Sequence, residues 1–231
     1  MSDASLVFTE LVCGYGDTVI VRGLSGEARP GRVLGVVGRN GVGKSTLLRS
    51  LAGFLPLLGG QLRWQGQDLA RLPAHARLAA GIAYAPQENV VFGELSVADN
   101  LWLHLPSRDA ARYEAALAAF PRLVQRMRQR AGLFSGGERK LLSFTRTLGL
   151  RAPLSLLDEP TEGVQPENID RMARLLDQAR SAGRGFVVVE QNLGFIEQVA
   201  DEVLVLDHGR CVLQGALRTL GREALEQHLL V

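Results

Sequence analysis

The chain has 231 residues, of which 46% are hydrophobic and 22% charged, and a formal charge of +2. This is a globular composition with room for one substantial core, which excludes a disordered chain. The charge is too small to argue for a nucleic-acid partner. No stretch approaches the ~18 consecutive apolar residues of a membrane span, and the N-terminus lacks a basic-then-apolar secretory pattern. The expectation is a cytoplasmic protein whose membrane role, if any, comes through a partner. Cys13 and Cys211 have no metal-like spacing, so neither a metal cluster nor a disulfide framework is indicated. Of 26 basic residues only Lys44 and Lys140 are lysines, so a lysine inside a glycine-rich run stands out.

In chain order, LVFTELVCGYGDTVIV reads as extended segments around a Gly-Tyr-Gly-Asp turn, and GGQLRWQGQDL continues that β character. Continuous apolar runs at Val33–Val37, Ile82–Ala85, Leu154–Leu157 and Phe186–Val189 fit strands covered on both faces, as in a mostly parallel α/β sheet. Strand signals stop between about residues 94 and 132. There SVADNLWLHL opens with Ser96 and Asp99 at capping-box spacing, and SRDAARYEAALAAFPRLVQRMRQR reads as helical until Pro121 interrupts it. VLVLDHGRCVLQG reads as a hairpin turning at His208-Gly209. It is grouped with the N-terminal segments into an antiparallel β-region beside the parallel core.

GRNGVGKST follows one apolar strand run and precedes a helical one, STLLRSLAGF. Gly38, Gly43, Lys44 and Ser45 satisfy G-x-x-x-x-G-K-[ST], with Arg39, Asn40, Gly41 and Val42 between and Thr46 after. Glycines let successive backbone N–H groups turn toward one point, the helix directs its positive end there, and Lys44 adds a compact cation. The loop therefore reads as a cradle for the phosphates of a nucleotide, with the Ser45 hydroxyl available to Mg²⁺. Adenylate kinases, small GTPases and recombinases have similar loops.

Two further stretches narrow the class. In FSGGERK, Ser135 and Glu138 stand at S-x-x-E capping spacing, while Gly136 and Gly137 are more than a cap requires and read as a second anion-facing helix start. In LSLLDEP, an apolar strand delivers Asp158 and Glu159 to its C-terminal end, where ligands sit in open α/β sheets. Asp158 reads as the Mg²⁺ carboxylate and Glu159 as the residue that polarises the attacking water.

With GRNGVGKST, YAPQ, FSGGE, LSLLDEP and VVVEQN in this order, the chain resembles the ATP-binding subunits of ABC transporters over essentially its full length. The resemblance implies an α/β P-loop NTPase (RecA-like) core, an N-terminal antiparallel β-subdomain and an inserted helical subdomain. It implies one ATP-binding domain over 1–231, with core at 1–87 and 133–231 and the helical subdomain at 88–132. It further implies that Tyr15 stacks on adenine, that Gln87 senses Mg²⁺, and that two subunits close head-to-tail. In that arrangement Ser135, Gly136, Gly137 and Glu138 of each cover the ATP on the loop of the other. Membrane permease subunits would dock beside the helical insertion near Glu88 to Val97, leaving the protein peripheral on the inner face of the plasma membrane. A periplasmic solute-binding protein would be an indirect partner.

Two departures are visible. Gln191 stands where most members have a histidine, and none of His75, His104, His208 and His228 replaces it. Gln165 stands where the family commonly has an aspartate. These features, together with D-E-P-T-E-G, the ending EALEQHLLV and the lack of a C-terminal regulatory domain, resemble importers of branched-chain amino acids, urea and short amides. In such systems two different ATP-binding subunits usually pair. The competing readings are an exporter or lipopolysaccharide-transport ATPase and a non-transport ABC ATPase. Against the last, the chain has one cassette and no heptad insertion. Glutamine donates a hydrogen bond but carries no charge. ATP turnover between pH 6 and 8 should therefore show no imidazole inflection near ~6.5 in the wild type and gain one in Gln191→His. A wild-type inflection that persists in the variant would contradict this.

Overall fold

A computed structural model describes residues 5–88, 90–103 and 105–229. The first extended segments form β1 (Leu6–Tyr15) and β2 (Thr18–Ala28), paired antiparallel across a two-residue turn at Gly16-Asp17. The first apolar run is β3 (Val33–Val37), buried at every residue, and it feeds α1 (Lys44–Leu51). β4 (Leu57–Trp64) and β5 (Gln67–Asp68) return to the antiparallel sheet, whose order is β2-β1-β4-β5.

After α2 (Ala74–Ala79) comes β6 (Ile82–Ala85). The described residues from there to β7 (Leu154–Asp158) hold helices and a single isolated bridge, Ser96 to Arg130. Ser96 caps α3 (Val97–Trp102), its hydroxyl accepting the Asp99 N–H at 3.0 Å and donating to the Asp99 carboxylate at 2.6 Å. The segment expected to be helical up to Pro121 is more broken than its composition suggests. It holds a short turn at 110–112, then α4 (Glu114–Ala119) and α5 (Pro121–Gln125). Pro121 does end one helix, and it also opens the next, at a first-turn position where its missing N–H costs nothing. Then α6 (Gly136–Gly149) leads to β7. The chain closes with α7 (Pro166–Ser181), β8 (Gly185–Glu190), α8 (Leu193–Val199), β9 (Glu202–Asp207), β10 (Arg210–Ala216) and α9 (Leu217–Leu229), the last interrupted at Gly221.

The larger sheet runs β10-β9-β3-β8-β7-β6, with every pair parallel except β9–β10. The hairpin at His208-Gly209 forms, both turn residues having positive φ (44° and 76°) as such a turn requires. It does not join the antiparallel region, however, and this corrects the grouping read from sequence. The run Val203–Leu206 is wholly buried, so β9 must be covered on both faces; the slot beside β3 provides that, leaving β10 as the edge. Alternate residues of each central strand enter different cores. Val33, Val37, Phe186 and Val188 face α3, α6, α7 and α8, whereas Leu34, Val36, Val187 and Val189 face α1 and the antiparallel sheet.

One buried cation ties α1 into this arrangement. Arg77 on α2 is 1% exposed and donates to the carbonyls of Ser50, Leu51, Leu69 and Leu72 at 2.6–2.8 Å. Two of those carbonyls lie at the C-terminal end of α1, where carbonyls lack helical partners and a cation is favoured. Burial lowers the guanidinium pKa from its usual value, so the hydrogen bonds are what hold a charge there. Arg77→Met should remove a donor from all four carbonyls, of which Ser50 and Leu69 keep a backbone N–H, and destabilise the fold by about 2–4 kcal/mol, read as a lower urea midpoint with an unchanged slope.

Candidate active site

Because β3, β6, β7 and β8 are parallel, the residues that follow them reach the same edge of the sheet. From β3 the chain turns through Gly38, Gly41 and Gly43 with φ of 156°, 79° and 108°. At Gly43 an added Cβ would also meet Ile20 Cγ2 at 3.0 Å. Gly43 is the N-cap of α1 and no side chain caps it, so the first helical N–H groups are left to whatever occupies the loop. Thr46 is buried and Val42 packs on the core, while Asn40 and Gly41 are exposed at the tip, next to the half-buried Arg39.

The Lys44 ammonium, 4% exposed, folds back over the loop and donates to the carbonyls of Gly38 (2.7 Å) and Arg39 (2.9 Å). Burial pushes its pKa down, and the carboxylates of Glu159 and Asp158 oppose that shift. The Ser45 hydroxyl donates to Asp158 Oδ1 at 2.9 Å, and the Tyr84 hydroxyl donates to Asp158 Oδ2 at 3.2 Å. Burial raises the Asp158 pKa, with these two hydrogen bonds pulling the other way.

Glu159 is the point on which the site converges. It is 6% exposed, with Gln87 Nε2 donating to Oε2 and Gln191 Nε2 to Oε1, each at 2.8 Å. Lys44 Nζ lies 3.7 Å from Oε1. Thus Gln191, which the sequence places where a histidine is common, contacts the carboxylate that would orient the water. A neutral amide there satisfies Glu159 without adding a second cation beside Lys44.

The Ser45 hydroxyl and the Asp158 carboxylate together offer three oxygen atoms, and the Gln87 amide is held against the neighbouring Glu159. Hard oxygen donors in that number suit Mg²⁺, which keeps several waters and takes phosphate oxygens as ligands. Among the described residues no group of three or more His, Cys, Asp or Glu forms a metal site by itself.

The second glycine-rich stretch opens α6. Ser135 caps α6 in a complete capping box: its hydroxyl accepts from the Glu138 N–H (3.2 Å) and its N–H donates to Glu138 Oε2 (3.0 Å). Glu138 Oε1 also accepts from Arg122 and Arg126, and the Ser135 N–H is the foremost cause of its lowered pKa. The two glycines differ. A Cβ on Gly137 would meet the Gly163 carbonyl oxygen at 2.4 Å, so this chain itself demands a glycine there. A Cβ on Gly136 would meet nothing within 4 Å. Beside them a groove of about 410 Å³ is lined by Ser135, Gly137, Gly163, Gln165, Asn168 and Arg171, among others. Tyr15 ends β1 half-exposed, with the Arg49 guanidinium 5.8 Å from its ring centre.

Sequence reasoning missed two residues. Glu190, 3% exposed, accepts from the Thr161 N–H (2.8 Å) and hydroxyl (2.6 Å) and from the N–H groups of Gln191 and Asn192. It thereby ties the loop after Glu159 to the one carrying Gln191; burial raises its pKa against those donors. The available signal was an acidic residue ending a continuous apolar run, as in LSLLDEP. Tyr84 was read as a strand residue, and its hydroxyl reaches the Asp158 carboxylate.

Residues 21–162, which hold the phosphate loop, Gln87, the Ser135 helix start and both carboxylates, match the family model described as ABC transporter. The chain belongs to the ABC transporter family. It is 35% identical over 212 residues to the high-affinity branched-chain amino acid transport ATP-binding protein BraG of Pseudomonas aeruginosa, a match spanning 90% of this chain and 91% of that one. It is 30% identical over 218 residues to the lipopolysaccharide export system ATP-binding protein LptB of Escherichia coli, spanning 92% and 90%. A solved structure described as the ATP binding subunit of an ABC transporter superposes with a TM-score of 0.82 at 26% identity, covering 94% of this chain and 92% of that one.

The two glycines generate a test. Gly137→Ala should force the 163 loop to move and cost about 1–3 kcal/mol of folding stability. Gly136→Ala should stay within about 0.5 kcal/mol of wild type. Thermal melts of the two single variants measure this, and equal losses would contradict the packing difference.

Proposed function

We propose that the protein is an ATPase that powers solute transport, working as one half of a head-to-tail pair. The observation that carries this reading is the convergence of Lys44, Gln87 and Gln191 on Glu159, beside Ser45 and Asp158, at the mouth of an uncapped helix. Loop N–H groups and Lys44 bind the phosphate chain of ATP; its ammonium leaves the Gly38 and Arg39 carbonyls for phosphate oxygens. Ser45, Asp158 and Gln87 would hold Mg²⁺, which when bound draws charge from the β- and γ-phosphates. Glu159 accepts a hydrogen bond from the attacking water, taking the place of one amide donor, while Gln191 orients the γ-phosphate by a neutral hydrogen bond. Tyr15 offers an aromatic face to adenine.

The difference between the two glycines supports the paired arrangement. Gly137 is required within the subunit, whereas the open space at Gly136 fits a group brought by a second subunit. Gln165, exposed at the groove edge, replaces a charged contact across that interface with a neutral one. Residues 88–132 act as the helical subdomain on which a permease docks. Phe92 is 55% exposed there, and its backbone N–H and carbonyl are both held by Asn100 (2.8 and 2.9 Å). Of the docking stretch, Asn89 lies outside the described residues, as does His104. The greater likeness to the branched-chain amino acid transport protein favours import of branched-chain amino acids, urea or short amides, with a periplasmic binding protein supplying the solute. The likeness to the lipopolysaccharide export protein keeps export as the second reading. Assaying substrate binding by the solute-binding protein encoded beside this chain, with leucine, urea and acetamide, separates these.

Glu159→Gln should lower kcat at least about 100-fold and leave ATP binding intact, so that an ATP-bound dimer accumulates in size-exclusion chromatography. In the wild type, turnover per molecule should rise with protein concentration. An undiminished rate in the variant, or turnover that does not depend on concentration, would overturn the reading.

A further inference from the structure

We infer that Lys140 is a positioning residue for Glu159, joining the helix that starts at Ser135-Gly136-Gly137 to the peptide that carries the water-orienting carboxylate. The inference rests on the role proposed above for Glu159.

The chain has only two lysines among its 26 basic residues, and both ammonium groups come to Glu159. Lys44 approaches the carboxylate, while Lys140, 9% exposed, donates from Nζ to the backbone carbonyl at 2.9 Å. Glu159 has a φ of 45°, in the left-handed region where a residue with a side chain is strained and persists only if its surroundings hold it. The means of holding it are visible on both sides. Its N–H donates to the Val189 carbonyl at 2.9 Å, and its carbonyl accepts from Lys140 and, at 3.4 Å, from the Glu162 N–H. The β8 bond fixes the entry to the residue and Lys140 fixes the exit. Between them they set where the side chain points.

Lys140 lies four residues after Gly136, so the two share a face of α6 one turn apart. Its ammonium is also 3.5 Å from Glu162 Oε2, and Gln87 Nε2 reaches that same oxygen at 3.4 Å. Lys140, Glu162, Gln87 and Glu159 thus form a closed ring of contacts, and only Lys140 belongs to α6. A small shift of α6, as its first turn engages a nucleotide held by a second subunit, is conveyed through a short buried hydrogen bond to the Glu159 peptide. Each subunit's hydrolytic carboxylate is then set by the nucleotide on the other subunit. A purely structural lysine would predict that any substitution acts through folding alone.

The test measures steady-state ATP turnover and binding of a fluorescent ATP analogue for wild type, Lys140→Met, Lys140→Arg and Glu159→Gln. Lys140→Met should lower kcat roughly 10- to 100-fold while KM and the analogue's Kd stay within about twofold. Lys140→Arg, which still offers donors to the carbonyl, should recover most of that loss. In a double-mutant cycle, Lys140→Met should add nothing to Glu159→Gln, because both act on one group. If Lys140→Met does not fold, Lys140→Gln takes its place; it keeps a neutral donor and should show a smaller loss with the same unchanged KM. A wild-type kcat in the Met or Gln variant alongside an inactive Glu159→Gln overturns the role of Lys140 alone. Losses that multiply in the double variant, or a kcat loss that Arg does not relieve, overturn it too. An active Glu159→Gln instead overturns the reading of Glu159 on which the inference stands.

Discussion

A carboxylate removed almost wholly from water must be given hydrogen-bond donors in water's place. Glu159 meets that requirement with two amide nitrogens at 2.8 Å and an ammonium at 3.7 Å, each from a different segment. Gln87 follows β6, Gln191 follows β8, and Lys44 opens the helix after β3. The donors of one side chain therefore hold three loops in register across the end of the sheet. In the proposed function the same groups serve the phosphate chain and its water, so binding would exchange the contacts that satisfy Glu159.

The sheet order is what makes such convergence possible. β3 lies between β8 and β9, and β7 beside β8, so residues distant in the chain become neighbours at the carboxyl edge. Asp158 and Glu159 leave the central part of the sheet side by side and divide the work by their surroundings. Asp158 is met by the hydroxyls of Ser45 and Tyr84, a setting suited to a hard cation; Glu159 is met by amides and a lysine, a setting suited to ordering a water. Glu190 adds a second layer beneath them. By taking donors from Thr161, Gln191 and Asn192 it links the loop after the carboxylates to the loop after β8, so neither moves alone.

The helix that begins at Ser135 meets two local constraints in a short span. Its capping box, completed by Glu138 and backed by Arg122 and Arg126, secures the first turn inside the subunit. Gly137 lets that turn approach the Gly163 carbonyl, and a Cβ at Gly136 would meet nothing within 4 Å. The cap uses the Ser135 and Glu138 side chains and the N–H groups of the same two residues, and the glycine N–H groups remain at the helix start.

Much of the architecture was legible in the residues because it is encoded locally. The glycine spacing of 38–43, the four continuous apolar strand runs, the His208-Gly209 turn and the Ser135 capping box all depend on neighbours within a few positions, where steric and hydrogen-bond rules act directly. Only the tertiary structure could decide the rest. The hairpin's place at the edge of the parallel sheet followed from which slot could cover β9 on both faces. The short broken helices before and after Pro121 depended on packing that composition does not express. The contacts of Glu159 with Gln87 and Gln191, of Glu190 with Thr161, and of Tyr84 with Asp158 join residues 29 to 74 positions apart. Periodicity carries no information across such separations; closing those loops is the entropic cost that the folded sheet alone overcomes.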